Sequence, residues 1–582
     1  MTQFIPDKKW LFESIEQGDG VDGIPPLICT LLAQREVRGK NAVDKFLNPS
    51  LDQLPDPIAM AGLAESVAIL EKGIIEKNKV LIYGDYDADG ITATALLFSF
   101  FKEIGLDCTH YIPDRLTEGY GLSATSLRQI RESAELIDYP EPILITVDCG
   151  ISSHAEVAEA RGLGFKVIIT DHHLPPDELP EADAIVNPNQ GDCLFSDKNL
   201  SGVGVAFYVL IGLRSRLTKM AYWSAKKQPN LKKYLDLVAI GTIADLVPLS
   251  GANRILVKAG LEVIQSTPRP GIKAIMENAG ISEKSITASQ IAFQVAPRIN
   301  AAGRVAKADL ALEVLLAENR NEAVEPAKRL EIANNYRKEL SESIFVEACL
   351  QAESQLEQGV NGLVLVDETW HLGVLGLIAS RIAERYYRPT VALSTDGKGI
   401  TKGSARSVGE LNLFEIMKEC SGHLEKFGGH KAAAGLTIRH YQIADFTAKF
   451  KESVNRKIAD INLQPIIYVN LKASLSELMD DNFLVNFEKL EPFGNGNPEP
   501  VFCSKDDNLS LSEPRKVGRD SLRFKVAINK NAIINGIGFG MAGLMANVKD
   551  VPVKIAFKIF KNEFRGRTNW EIRAEDIKVN TN

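Results

Sequence analysis

The sequence predicts a multidomain α/β protein, with a parallel-sheet domain, a smaller α/β domain joined to it by a long helix, and a C-terminal β-barrel. Three observations carry this prediction. The 582 residues, 45% of them hydrophobic, suffice for three or four domains with substantial cores. Between about residues 78 and 190, short β-rich runs alternate with stretches of helical period, which is the pattern of βαβ units and hence of a parallel sheet flanked by helices. From about residue 460 the pattern changes to short alternating strands such as "RFKVAIN" and "VKIAFKIF", preceded by turns in "EPFGNGNPEPVF".

Taken in order, the expected divisions are an N-terminal segment over 1–50, the sheet domain over 51–250, a helical region with the connecting helix over 251–355, the second α/β domain over 356–458 and the barrel over 459–582. The sheet runs are "KVLIYGD", "CTHYIPD", "PILITVDCG" and "KVIITDHH". In three of the four an acidic cluster sits at the carboxyl end: Asp85 with Asp87 and Asp89, then Asp148, then Asp171 beside His172 and His173. In open parallel sheets that carboxyl edge is where ligands bind. The helical region includes "LKKYLDLVAIGTIADLVPL" and a polar amphipathic stretch from Asn319 to Gln358, which Pro326 would kink or cap. The second α/β domain is read from "NGLVLVD", "GVLGLIASRIAERYY", "RPTVALS", "KGSARS" and "FGGHKAAAG".

A net charge of −8 argues weakly against a polyanionic partner, but the charge is unevenly spread. From Val501 to Asn582 there are 15 Lys and Arg against 9 Asp and Glu, so a balance of +6 sits on a chain that is otherwise at −14. Seven cysteines without a CxxC pair indicate neither a disulfide framework nor a thiolate zinc site. The start "MTQFIPDKKW" lacks the layout of a signal peptide, and no apolar run approaches the roughly 18 residues that span a bilayer, so cytoplasm is the default expectation.

In "YGDYDADGIT" three carboxylates fall within five residues. An acidic turn before a helix N-terminus is the bland reading. Convergent carboxylates at one sheet edge instead need a cation. Hard divalent ions favour carboxylate oxygen, and imidazole suits Mn²⁺ better than Mg²⁺, so a mixed Asp and His set points to Mn²⁺ or Mg²⁺. Zinc or an acid/base pair are the alternatives for "DHH", and zinc usually recruits Cys or more His at short spacing. Asp245, within the apolar "IADLV", reads in isolation as a cap or paired core carboxylate.

"DYDADG", "VDCG", "TDHH" and "GTIADLVPL", in this order, resemble the signatures of the DHH phosphoesterase superfamily, and "FGGHKAAAG" resembles the motif of its DHHA1 domain. "RLTEGYGL", "APRINAAGR" and "EPFGNGNPEPVF" resemble more narrowly the RecJ single-strand-specific exonuclease family. The resemblance implies a DHH domain, a DHHA1 domain and an OB-fold around a dinuclear centre. Asp87 and Asp89 would bind different ions, Asp148 would be shared, His172 and Asp245 would complete the second site, and His173 would stand behind them or touch phosphate. Many relatives carry a His where this chain has Tyr83, and Asp85 would compensate as a ligand.

Two ions roughly 3.5 to 4 Å apart suit in-line displacement at phosphorus. The reaction implied is 5′-to-3′ hydrolysis of single-stranded DNA to nucleoside 5′-monophosphates, in repair and recombination. A hole between the DHH and DHHA1 domains would exclude duplex. Substrate contacts would come from Arg115, from Arg298, Asn300 and Arg304 of "APRINAAGR", from Ser404 and Arg406 of "KGSARS", from Gly429 and His430, and from His371. Phe493, Phe524, Phe557 and Phe564 would stack on bases or form barrel core. Arg381 reads as a structural residue. The family also implies single-strand-binding protein and a helicase as partners. The rival readings are a phosphodiesterase for short oligonucleotides or cyclic dinucleotides, which the basic C-terminal segment disfavours, and a noncatalytic DNA-binding scaffold, which the complete ligand set disfavours.

Overall fold

The apolar runs form strands. After β1 (Lys9–Phe12), the four predicted runs become β2 (Val80–Gly84), β3 (Cys108–Tyr111), β4 (Ile143–Val147) and β5 (Lys166–Thr170), joined by β6 (Ala184–Val186), which the sequence reading did not single out. β2 to β6 pair in parallel in the order β3-β2-β4-β5-β6. Alternate residues serve two cores. Val80 and Ile82 join Leu96 and Phe100 of the helix Ala88–Ile104 and Val209 of the helix Gly202–Lys219 on one face, while Leu81 and Tyr83 join Leu144, Val167 and Ile169 on the other. Strands covered on both faces read as continuous apolar runs, which is why β2 and β4 are buried throughout. Each such Leu, Ile or Val contributes roughly 1.5–3 kcal/mol by leaving water.

The chain leaves β2 for β3 on one side and returns to β4 on the other. The reversal of strand order therefore falls between β2 and β4, where a crevice opens beyond the strand ends. Register aligns those ends: Gly84 pairs with Val147, Val147 with Thr170 and Thr170 with Val186. The next residues, Asp85, Asp148, Asp171 and Asn187, consequently stand side by side.

The computed structural model describes residues 7–14, 18, 20–115, 117–282, 286–395, 399–459, 463–505, 509–530, 532–549, 551–564 and 567–579. The chain forms two compact units: Pro49–Leu340 with Pro492–Pro498, and Met1–Asn48 with Ser341–Glu491 and Glu499–Asn582. The division falls inside the helix Arg320–Glu357, whose 38 residues run on through Pro326, so the proline neither caps nor ends it.

In the second unit, β7 (Leu363–Val366), β8 (Thr390–Thr395), β9 (Ile400–Arg406), β10 (Lys426–Gly429) and β11 (Ala433–Arg439) form a mixed sheet in the order β10-β11-β9-β8-β7. The N-terminal β1 pairs in parallel with β12 (Ile466–Val469). A last sheet takes β13 (Leu471–Ala473), β14 (Phe502–Ser504), β15 (Leu509–Ser510), β16 (Ser512–Val517), β17 (Ser521–Asn529), β18 (Ala532–Gly538), β19 (Pro552–Phe564) and β20 (Arg567–Val579). It is not purely antiparallel. The β19–β20 hairpin sets β20 beside β18 running the same way, and β13 pairs in parallel with β14. All seven cysteines are free and buried, and among the described residues no helix is long and apolar enough to cross a membrane.

Candidate metal centre

The acidic loop after β2 is built around the start of the helix Ala88–Ile104. Asp87 caps it, with Oδ1 accepting from the amides of Asp89 (2.9 Å) and Gly90 (3.2 Å). Gly90 lies against the loop so closely that a methyl there would come within 2.6 Å of the Asp85 backbone. Asp89 is buried, and the N-terminus of the helix Gly202–Lys219 holds it, Oδ2 accepting from Gly202 N (2.6 Å) and Oδ1 from Val203 N (2.9 Å).

Across the crevice, Asp148 adopts φ of 62°, and Leu246, just after Asp245, adopts 61°. A left-handed backbone at a non-glycine residue costs on the order of 1–3 kcal/mol and persists where the surroundings over-determine it. His172 Nε2 lies 3.1 Å from Asp148 Oδ1 and 3.5 Å from Asp245 Oδ2. Asp85 Oδ1, Asp148 Oδ1, His172 Nε2 and Asp245 Oδ2 are all buried without a hydrogen-bond partner. Orphaned polar atoms of this kind are costly, and four of them facing one space are satisfied together by cations. Among the described residues, three sets have ligand atoms within 4.8 Å of one another: Asp85, Asp87 and Asp148; Asp89, His172 and Asp245; Asp148, His172 and His173. The donor set of carboxylates with imidazole fits Mn²⁺ or Mg²⁺.

The electrostatics agree. Burial, reinforced by Asp87, holds the Asp85 carboxyl well above the usual carboxylate range, and burial with Asp89 does the same to Asp148. Burial and Asp87 raise Asp89 to about 7, and burial and Asp89 raise Asp245 to about 9. Such crowding is relieved only by protons or by cations. Burial and the neighbouring His173 push His172 down to about 4, leaving a neutral imidazole suited to ligation.

His173 has a different setting. Burial opposes its charge, yet the Asp171 carboxylate, 2.7 Å from Nδ1, raises it to about 9. Asp171 also accepts from the amides of His172, His173 and Ile151, and so fixes the turn that carries both histidines. Asn187 and Asn189 bind the His173 and His172 carbonyls from the far side.

A cleft of about 320 Å³ opens over the centre, lined by Asp85, Asp87 and Asp245 together with Tyr86, Arg115, Tyr120, Asn300 and Arg304. The Arg115 guanidinium lies 5.1 Å above the Tyr86 ring. Asn300 Oδ1 accepts from Ala88 N (2.9 Å), and Gly303 lets the helix Ala296–Val305 approach the Tyr86 carbonyl. Tyr120 donates to the Asp148 carbonyl (3.3 Å) and meets the His173 ring edge-on.

Arg298 departs from its expected phosphate contact. It is buried, paired with Glu331 at 2.5 Å, and donates to the Gln294 carbonyl, because the helix that aims Asn300 and Arg304 at the cleft turns Arg298 to its opposite side. Tyr83 packs into the core away from the acids, its hydroxyl on the Gly121 carbonyl, while Asp85 joins the acidic set.

The remaining expected phosphate contacts belong to the other unit. Ser404 and Arg406 share one face of β9, joined by a 2.9 Å hydrogen bond, beside Gly376, whose missing side chain leaves the guanidinium room. His371 accepts from Gly373 N through Nδ1, and His430 is exposed at the turn after Gly429, whose φ is 151°. Arg381 stacks on Phe345 at 3.7 Å and pairs with Glu342, a structural setting. Phe524 and Phe557 are core residues and do not face solvent. Phe493 is half-buried, and the Phe564 side chain lies outside the described residues. Sequence reasoning named Asp171 only as an acid at a strand end, and passed over Tyr120, Asn187 and Gly202. Their signals were "EGYGL", the acid before the two histidines, "NPN" after an apolar run, and a serine-capped glycine pair in "LSGVGVAF".

Domain models match in the same order as these parts: the DHH family, N-terminal domain over residues 79–242, the DHHA1 domain over 359–457 and the RecJ OB domain over 469–576. The fold and centre are thus of the DHH class. The single-stranded-DNA-specific exonuclease RecJ of Dickeya dadantii is 36% identical over 573 residues, 96% of each chain. The crystal structure of RecJ from Thermus thermophilus in complex with Mn²⁺ has a TM-score of 0.80 at 29% identity, covering 98% of this chain and 79% of that one; the Mg²⁺ complex has a TM-score of 0.74 at 27% identity, covering 98% and 78%. The chain belongs to the RecJ family of single-stranded-DNA-specific exonucleases.

Proposed function

We propose that this chain is a metal-dependent exonuclease that hydrolyses single-stranded DNA from its 5′ end to nucleoside 5′-monophosphates. The supporting observation is the convergence of four buried, unpartnered ligand atoms, from separate chain segments, at the strand-order reversal of a parallel sheet. Asp85, Asp87 and Asp148 would hold one Mn²⁺ or Mg²⁺, and Asp89, His172 and Asp245 the other, with Asp148 between them. When bound, the two ions supply an activated water and offset charge on the phosphodiester.

The chain's own residues do the rest. Gly202 and Val203 amides hold Asp89, and Asp171 holds the histidine turn, so the ligands meet the ions preorganised. His173 stands half-exposed at the edge of the centre, where its imidazole would meet phosphate. Arg115, Asn300 and Arg304 would bind the phosphates of the nucleotide in the cleft. Ser404, Arg406, Gly429, His430 and His371 would receive the 5′-terminal phosphate.

The test is degradation of end-labelled single strands, with and without a 5′ phosphate, in Mn²⁺ or Mg²⁺. Mononucleotides released from the 5′ end are expected, with blunt duplex degraded far more slowly. Equal rates on the two substrates, or full activity of Asp148→Ala, would defeat the reading.

A further inference from the structure

The loop Pro492–Pro498, within "EPFGNGNPEPVF", belongs to the compact unit of the metal centre, although the chain on either side of it belongs to the other unit. It meets the segment that follows Asp245. Asn495 donates through Nδ2 to the Leu246 carbonyl (2.6 Å), and its own carbonyl accepts from Leu249 N (2.7 Å), so one residue brackets the stretch from Leu246 to Leu249. Close approach is built in. Gly496 adopts φ of 70°, and a methyl there would lie 2.7 Å from Pro248 Cβ, while one on Gly494 would lie 2.7 Å from Leu249 Cδ1. The loop is also closed on itself: Gly494 and Asn497 exchange backbone hydrogen bonds (2.9 and 3.2 Å), and Asn497, buried, donates to the Pro492 carbonyl (2.8 Å).

Asp245 needs such support. Asp87 and Asp89 each accept from two backbone amides, which fix their carboxylates, whereas Asp245 Oδ2 is buried without a hydrogen-bond partner. Its direction therefore rests on the backbone that carries it. Before it, the helix Leu235–Ala244 ends with Asp245 N donating to the Gly241 carbonyl (2.9 Å). After it, Leu246 stands at φ of 61°, a place at a helix end that glycine usually takes. The bond from Leu246 N to the Ile243 carbonyl is long, at 3.4 Å, and the Leu246 side chain is 66% exposed, so local bonding and side-chain packing contribute little to holding the turn. A strained backbone persists where its surroundings over-determine it, and here Asn495 is the group that grips it.

We infer that Asn495 is a positioning residue of the metal centre: it pins the left-handed turn at Leu246 and so aims the Asp245 carboxylate at the ion it would share with Asp89 and His172. The inference rests on the reading of the centre as a two-ion site, and gives a loop that touches no substrate a part in the reaction.

The experiment is calorimetric titration of Mn²⁺ into the full chain, with urea unfolding alongside. Asn495→Ala removes the donor to Leu246 and keeps the backbone bond to Leu249. It should weaken Mn²⁺ binding roughly 10- to 100-fold, the range for a group that orients a ligand. Initial rates on a labelled single strand should fall at limiting Mn²⁺ and recover at saturating Mn²⁺, with KM for the strand unchanged. Glycine adopts positive φ without strain, so in a Leu246→Gly background the penalty of Asn495→Ala should shrink by roughly threefold or more. Gly496→Ala, which pushes the loop off Pro248 with Asn495 intact, should weaken Mn²⁺ binding as well. Asn230→Ala, which removes an exposed side-chain bond to Lys232 N (3.0 Å) in the same unit, should lower stability alone. Wild-type Mn²⁺ affinity in both Asn495→Ala and Gly496→Ala would overturn the inference, as would an Asn495→Ala penalty of the same size with and without Leu246→Gly. The two readings separate: a wild type that binds Mn²⁺ but leaves single strands intact defeats the proposed activity, while weakened Mn²⁺ binding by Asn495→Ala still upholds the positioning; an active wild type with Mn²⁺ affinity unmoved in the variants defeats the positioning alone.

Discussion

Gly202→Ala is the sharpest probe of the centre. The new methyl would lie 2.7 Å from Asp148 Cβ, 2.8 Å from Oδ1 and 2.9 Å from Cγ. Ordinary carbon contacts are about 3.5–4.0 Å, so roughly 1 Å must be found. Asp148 cannot swing aside, because its own Cβ is the nearest atom and its backbone is already held at φ of 62°. The helix start cannot retreat freely either, since the Gly202 and Val203 amides grip Asp89. One methyl therefore displaces carboxylates of both proposed ion sites. Overpacking of this kind costs about 1–3 kcal/mol of stability, and a misplacement of about 1 Å costs on the order of 100-fold in rate. Initial rates on single-stranded DNA in Mn²⁺, calorimetric titration of Mn²⁺ and urea unfolding measure the three effects. Gly162→Ala is the control, as a methyl there meets nothing within 4 Å. A Gly202→Ala enzyme within threefold of wild type in rate and Mn²⁺ affinity would refute the account of how the acids are held.

Asp171→Asn exchanges the charge and one of the two carboxylate oxygens that hold three backbone amides and the His173 ring for an amide NH₂, and should weaken Mn²⁺ binding 10- to 100-fold by calorimetry while leaving the ligands themselves in place. Arg298→Ala strands Glu331 in a largely buried position and should cost on the order of 3 kcal/mol in urea unfolding; a phosphate-binding role would instead show as a raised KM with stability unchanged. Glu477 is held down to about 2, first by Lys505 and then by the Ser474 amide. Its folded pKa lies below the unfolded one, so its contribution is present above about 4.5 and fades as pH falls toward about 2. Glu477→Gln should flatten the loss of stability between pH 5 and 3; an unaltered slope would count against the ion pair.

Reading the fold from sequence worked where the signal is local. Apolar runs with acid at their ends announced β2, β4 and β5, because a strand covered on both faces must be apolar throughout and a parallel sheet presents its ligands at one edge. Asp87, Asp89 and the paired histidines were legible for the same reason, lying within a few residues of a strand end. β6 was not, since three residues of "AIV" carry too little pattern.

The sequence by itself determined which residue types stand at the strand tips, and through its motifs the family. Only the tertiary structure decided which of them face one another. Arg298 and Arg304 lie six positions apart on one helix, yet one is spent on Glu331 and the other lines the cleft, because a helix turns its residues through about 100° each and only packing selects the face. Gly202 matters because a distant carboxylate needs its amide and the space of its missing side chain, and Asn495 because its side chain reaches a carbonyl 249 residues back along the chain. Couplings of that range leave no local periodicity in a single sequence; they arise when folding brings the segments together.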